Sequence, residues 1–477
     1  MIFSARRRGR YSLPDRIFNL ALERLPRPAL SARSPASFHG ILYLNMETVL
    51  NTFALEPWVD DYVLRSGLGF PCGLVASREK TVSEGLSVFL KSILFLIEFF
   101  LPPLSFERRG ADLVRRQMDS MDLESGEPEK QIKAVTDLCG SIFGWHLAAT
   151  ARSFSFLGFV RKAIRCKGRD RDRCFINILN RVSETRIDPY VKDLDRLKGG
   201  EAAETKEAII AFLAKYGHRS ENEFELSRPS WRERPAHLIQ ALRSSSGKKK
   251  ERTEEGLSFF ARILSRRLAE SIMLREETKS MLVKVYRQFR AYYLARAETL
   301  LQEKVIGKAE DIFFLTREEI EAGLRGELKE PPPVREREKA YFSAKSRSFP
   351  DTFVGDFAWT GGSPPKEKDT LFGVSCAGGR AAGRAVLIDS PEEGGKLRPG
   401  DILVARSVDP GWTPLFSKAG GIVTEIGGML SHAATVAREY RIPYVAGVTG
   451  VKERIRPGSG LTVDGDNGMV YLHGKRS

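Results

Sequence analysis

The chain has 477 residues, 42% of them hydrophobic and 29% charged, with a formal net charge of +15. That length holds two or three domains of about 100–200 residues each, and the apolar fraction excludes global disorder. The positive balance fits an anionic partner such as a nucleotide, while zinc-finger spacings and aromatic-rich basic stripes, the marks of nucleic-acid binding, are absent.

Five cysteines (Cys72, Cys139, Cys166, Cys174 and Cys376) form no CxxC pair, and their number is odd. This reads as a reduced, cytosolic chain. The histidines make no HExxH and no zinc spacing, so no metal site is assigned.

Residues 1–36 are basic and Pro-punctuated, with Arg6, Arg7, Arg8 and Arg10 but no apolar signal core. They read as a poorly ordered extension. Residues 37–330 read as a large, mainly helical domain. Within it, Leu86–Leu101 is apolar, but Lys91 and Glu98 interrupt it and Pro102-Pro103 stop it. A membrane span needs about 20 mainly apolar residues, so a buried helix is the better reading. From Leu257 to Leu300, Phe259, Ile263, Leu268, Ile272, Leu282, Val285 and Phe289 recur at helical spacing, predicting one or two long helices. Gly199-Gly200 and Ser244–Lys250 read as loops, with Lys248-Lys249-Lys250 solvated. Thr316 and Glu319 have capping-box spacing. Residues 331–368, opening on Pro331-Pro332-Pro333, read as a semi-rigid linker suited to a domain that travels.

Residues 369–477 change texture. Short β-branched runs at 383–388, 401–405, 421–424, 445–446 and 461–463 are bounded by Gly and Pro, with one helix from Ser431 to about Tyr440. The fold class is multidomain, α followed by a compact α/β domain.

The chemistry concentrates in Thr424-Glu425-Ile426-Gly427-Gly428-Met429-Leu430-Ser431-His432-Ala433-Ala434-Thr435. Gly427 and Gly428 permit a tight turn, Ser431 occupies an N-cap position, and His432 falls in the first helical turn. An imidazole there is a good nucleophile near neutral pH, and free helix N–H groups favour the anionic product. The competing reading is an ordinary cap or core histidine. Arg438 adds either charge to the site or a helix-surface salt bridge.

The string from Pro410-Gly411-Trp412-Thr413-Pro414-Leu415-Phe416 through GGIVTEIGGMLSHAATVAREYRIPYVAGV closely resembles the swivelling phosphohistidine domain of phosphoenolpyruvate-utilising enzymes. That resemblance implies a compact β/β/α domain over about Phe372–Leu472 with His432 as the phosphorylated residue. Gly427, Gly428, Ser431 and Thr435 are its phosphoryl-binding surroundings. The domain order resembles the rifampin phosphotransferase arrangement, a helical acceptor domain followed by the histidine domain. Gly40–Asn45, Tyr216–Arg219 and Glu310–Thr316 support this order.

An ATP-grasp domain, which begins such enzymes, has no room in the roughly 36 residues before the resemblance. The resemblance therefore implies a separate ATP-grasp subunit holding ATP and Mg²⁺, as in phenylphosphate synthase-like systems. The function expected is a phosphotransferase component that passes a phosphoryl group from His432 to a small-molecule acceptor. A regulatory phosphorelay or scaffold protein, or a truncated relic, is the alternative.

In the helical domain, His218 is a candidate base for an acceptor hydroxyl and Arg219 a candidate ligand of phosphoryl oxygens. The competing reading is a hydrogen-bonded turn. Arg275 and Lys279, four apart on one helical face, form a candidate phosphoryl clamp, against a solvated charged face. Glu276 and Glu277 read as their helix-surface partners.

Overall fold

The computed structural model describes residues 35–38, 41–44, 106–120, 128–163, 174–180, 189–198, 206–236, 238–239, 259–328, 330–345 and 370–473, with single positions between 59 and 93. The predicted loops at 199–200 and 244–250 and most of the apolar 86–101 run lie outside them. No helix among the described residues is long and apolar enough to cross a membrane.

A short antiparallel hairpin, β1 (Pro35–Phe38) and β2 (Ile41–Leu44), straddles the boundary expected at residue 36. Helices α1 (Phe106–Ser120), α2 (Pro128–Ala163), α3 (Pro189–Lys198) and α4 (Lys206–Tyr216) follow. The periodic run 257–300 forms one helix, α5 (Phe259–Gln302), because 44 residues pass without Gly or Pro.

Two buried clusters show how α2 and α5 pack. Leu138 and Ile142 meet Leu282, Val285 and Phe289, whereas Phe154 and Leu157 meet Leu264, Leu268 and Ile272. Rising numbers on one helix pair with falling numbers on the other, so the helices run antiparallel. The buried Ser153 hydroxyl fastens them by donating to Ser271 O at 3.0 Å.

Helix α6 (Arg317–Leu324) starts at the predicted capping box. Glu319 N donates to Thr316 Oγ1 at 3.2 Å, and Thr316 N donates to the Glu319 carboxylate at 2.7 Å. The linker expected over 331–368 is in part ordered, because α7 (Val334–Lys345) occupies its first third. Proline is tolerated at a helix start, where its missing N–H is not needed. Arg337 then grips the Glu319 carboxylate at 2.6 and 2.8 Å, and Tyr341 donates to Glu225 at 2.5 Å. The rest of the expected linker, 346–368, lies outside the described residues.

The C-terminal domain is a single eight-stranded sheet. Its strands are β3 (Thr370–Phe372), β4 (Val374–Ala377), β5 (Arg380–Leu387), β6 (Ile402–Ala405), β7 (Gly421–Thr424), β8 (Tyr444–Ala446), β9 (Gly460–Asp464) and β10 (Met469–His473). The spatial order is β3-β10-β9-β5-β6-β7-β8-β4, with β5 to β8 parallel and the flanking pairs antiparallel. Helix α8 (Thr413–Phe416) lies in the crossover from β6 to β7, and α9 (His432–Tyr440) in that from β7 to β8. A βαβ path of this kind puts helix N-termini at the carboxyl ends of the strands.

The two parts share their cores. Tyr190, Leu194, Phe212 and Trp231 of the helical part form one buried cluster with Trp412, Leu415, Phe416, Ala433 and Ala437. Met429 and Leu430 instead enter the cluster around Phe154, Leu157, Leu268 and Ile272. The loop before α9 is thus inserted into the helical domain.

Candidate functional site

Strand β7 ends at Thr424 and the chain turns through Gly427, which has φ +154°. A Cβ there would lie 2.6 Å from the Tyr444 hydroxyl oxygen, so only glycine fits. Of the two glycines in this turn, Gly427 has positive φ and Gly428 does not. Ser431 caps α9 by accepting from Ala434 N at 3.1 Å, as its position predicted. Its hydroxyl and that of Thr435, which donates to Ser431 O at 3.3 Å, are occupied within the helix start. Arg438 is buried rather than a surface ion-pair residue. It donates to Cys376 O at 2.7 Å and Met429 O at 3.0 Å, so it braces the loop that carries the histidine. Burial lowers its guanidinium to about 10, still charged near neutral pH.

His432 is the first residue of α9 and is 5% exposed. Its Nε2 lies 3.2 Å from Thr413 Oγ1 at the start of α8. Its Nδ1 faces Glu276 Oε2 of α5 at 3.5 Å, ion-pair distance and longer than an ordinary hydrogen bond. The Tyr190 ring lies beside the imidazole, centroids 5.7 Å apart, and the Tyr190 hydroxyl donates to Pro410 O at 3.0 Å. The two helix-start segments of the α/β domain therefore present His432 directly to the helical domain.

The facing side is a compact charge network. Arg275 donates to Glu276 at 2.6 Å and to Leu430 O, two residues before the histidine. Lys279 pairs with Glu223 at 3.0 Å, and Arg219 pairs with Glu223 at 2.9 Å. The Arg219 guanidinium also lies over the Tyr190 ring at 5.0 Å. Burial pushes the Glu276 and Glu223 carboxyls up, but the cations overcome it. Arg275, His432 and Lys279 hold Glu276 well below the usual range, and Lys279 and Arg219 bring Glu223 down to about 2.

Arg275, Lys279 and Arg219 thus belong to this network, each already engaged by a carboxylate or carbonyl. Glu276 is not the helix-surface partner expected, because α5 turns it inward to 7% exposure. Glu277, one position on, does pair at the surface, with Arg115. His218 sits on Ser280, Nε2 to Oγ 3.1 Å, and burial with the Arg219 charge lowers it to about 3.

Sequence reasoning missed the part that Glu276, Thr413 and Tyr190 take in the site. Only Thr413 carried a signal, through its place in the Pro410–Phe416 string. The others are brought in by helix packing, which has no local sequence mark. Among the described residues no group of three or more His, Cys, Asp or Glu stands together as a metal site.

Residues 397–468 match the mobile domain of PEP-utilising enzymes, and residues 176–296 match the rifampicin phosphotransferase fourth domain. A rifampicin phosphotransferase of Streptomyces sviceus is 32% identical over 317 residues, 60% of this chain and 36% of its own length. One from Bacillus cereus is 31% identical over 331 residues, 63% of this chain and 38% of its own. The prodigiosin synthesizing transferase of Serratia marcescens is 29% identical over 295 residues, 55% and 33% of the two chains. The chain thus spans about a third of the length of these curated relatives. The family resemblance read from the GGMLSHAA segment is the one these matches show, with the helical match preceding the mobile domain.

Proposed function

We propose that this chain is the carrier and acceptor part of a phosphotransferase. His432 takes a phosphoryl group that originates in ATP, at an ATP-grasp site, and hands it to a hydroxyl acceptor bound in the helical domain. The observation that carries the reading is His432 itself, at a helix N-terminus and pressed between domains onto the Arg275, Glu276 and Lys279 face.

The residues divide the work as follows. Glu276 faces Nδ1 and favours the hydrogen staying on that nitrogen, which leaves the Nε2 lone pair to attack phosphorus. Thr413 faces that nitrogen and orients it. Arg275, Lys279 and Arg219 supply positive charge where phosphoryl oxygens gather, with Glu276 and Glu223 occupying those cations until the anion arrives. Phosphoryl transfer is catalysed mainly by such positioning and charge. Mg²⁺ accompanies the nucleotide at the partner site. Loading requires the α/β domain to leave the helical face, and hand-on requires it to return.

Incubating the chain with a cognate ATP-grasp protein, Mg²⁺ and γ- or β-labelled ATP tests this. Label is expected on His432, labile in acid and stable in base, and supplied by the β-phosphoryl. Label that persists in His432→Ala refutes the assignment.

A further inference from the structure

The helical domain holds the segment that leads into α8 residue by residue. Asn222 N donates to Asp409 Oδ2 at 2.7 Å, and the Tyr190 hydroxyl donates to Pro410 O at 3.0 Å. A Cβ on Gly411 would lie 3.2 Å from Glu221 N, so glycine there lets the two backbones approach. Trp412 joins Tyr190 in one buried cluster. Thr413, with no exposed surface, then places Oγ1 3.2 Å from His432 Nε2.

The Pro410 carbonyl is shared. It also accepts the backbone N–H of Thr413, which closes the 3₁₀ turn Pro410–Trp412. One oxygen therefore joins Tyr190 of the helical domain to the residue whose hydroxyl faces Nε2. Tyr190 has little room to swing away, being 1% exposed. Tyr216 stands edge-on to its ring at 5.3 Å, Trp231 stacks at 6.2 Å, and the Arg219 guanidinium lies over it at 5.0 Å. The imidazole of His432 packs against the same ring at 5.7 Å.

Thr413 and His432 belong to the same domain, so their contact survives if the α/β domain leaves, whereas the Tyr190 bond does not. With the hydrogen kept on Nδ1 toward Glu276, Nε2 is the acceptor and the Thr413 hydroxyl the donor. Docking thus governs how firmly that hydroxyl is aimed.

We propose that Tyr190 is a positioning residue which, through Pro410 O, fixes the Thr413 hydroxyl on His432 Nε2 while the domains are docked. The inference rests on the phosphocarrier reading above. In hand-on, the acceptor oxygen bonds to phosphorus as the phosphorus–Nε2 bond breaks, and the bonding pair returns to Nε2. The acceptor's hydroxyl proton passes to solvent, and Nδ1 keeps its hydrogen. A hydroxyl already aimed at Nε2 stabilises the returning pair, so the imidazole leaves more readily at the acceptor side than away from it.

The test uses the intact chain labelled with ¹⁵N-histidine, the His432 signals being those lost in His432→Ala. Wild type is expected to show hydrogen on Nδ1 and a hydrogen-bonded Nε2. Thr413→Val should move the Nε2 signal to that of a free acceptor, and Tyr190→Phe, which keeps the ring, should move it the same way. The double variant should match Thr413→Val alone, because both changes act on one contact. Docking is read separately from hydrogen exchange at Met429 N, which donates to Ser66 O, and at Asn222 N. Both amides should stay protected in Tyr190→Phe. An unmoved Nε2 signal in Tyr190→Phe overturns the proposal, as does hydrogen on Nε2 in wild type. So does a shift accompanied by loss of protection at both amides, which would make the hydroxyl a docking bond alone. Loading His432 from labelled phosphoramidate, a small donor that needs no partner, adds a kinetic arm. Water serves as the acceptor probe, since help to the leaving nitrogen does not depend on which oxygen attacks. Discharge is expected to be about fivefold slower in Tyr190→Phe, the worth of one hydrogen bond, and equal rates overturn the proposal. Failure of wild type to load would instead sink the carrier reading, and the spectra would then decide the Tyr190 assignment by themselves.

Discussion

Leu430 is 1% exposed, yet most of what it touches belongs to the other domain, the cluster around Phe154, Leu157, Leu268 and Ile272. Leu430→Ala keeps the carbonyl that Arg275 grips and removes only apolar contact. A buried leucine truncated to alanine costs about 2–5 kcal/mol. At about 1.4 kcal/mol per factor of ten, docking weakens by about 30- to 4,000-fold. Two amides report docking directly: Met429 N donates to Ser66 O at 2.8 Å, and Asn222 N donates to Asp409 Oδ2 at 2.7 Å. Two others report the α/β domain alone, Ile422 N to Pro443 O and Val448 N to Thr424 O. Hydrogen exchange of the first pair is expected to accelerate by the docking factor while the second pair stays protected. Equal acceleration of both pairs would show that Leu430 stabilises its own domain, and the insertion argument would fail.

Two further outcomes follow from buried charge. Burial pushes the Asp409 carboxyl up to about 7 from an ordinary 3.8, against the hydrogen bonds from Asn222 and Gly411. A raised acid contributes stability that is fully present below the unfolded value and is lost as pH rises through the folded one. Thermal stability is expected to decline between about pH 4 and 7 on this account, and Asp409→Asn should flatten that slope in a melting series. Arg438→Met strips the buried donors from Cys376 O and Met429 O. That change should cost about 2–4 kcal/mol in a denaturant titration, and an unchanged midpoint would contradict the bracing role.

What the sequence disclosed was local. Ser431 before His432 marked a helix start, Thr316 with Glu319 marked another, and the Gly-bounded apolar runs marked the five strands β5 to β9. Strands β3, β4 and β10 escaped because each takes its place from antiparallel pairing at or near a sheet margin. Helix α7 escaped because charged residues after three prolines resemble a linker, and only its grip on Glu319 and Glu225 reveals a docked helix. Arg275 and Lys279 were visible by their four-residue spacing. Glu276, between them in the chain, was assigned to the surface because nothing local shows which side of α5 another domain covers. Tyr190 reaches the site from a helix far away in the chain, and such a meeting has no periodicity to read.

If the domain travels as proposed, the apolar cluster that joins Tyr190, Phe212 and Trp231 to Trp412, Leu415 and Phe416 has a cost. On departure, both faces would be bared to water, at roughly 25 cal/mol for every Å² of apolar surface. A carrier that spent its journey uncovered would be sticky as well as strained. Any second station must therefore do more than offer a nucleotide: it needs an apolar seat for Trp412 and its neighbours. Without one, the histidine would remain at home with its acceptor side, and delivery would be limited by release from that seat rather than by chemistry at phosphorus.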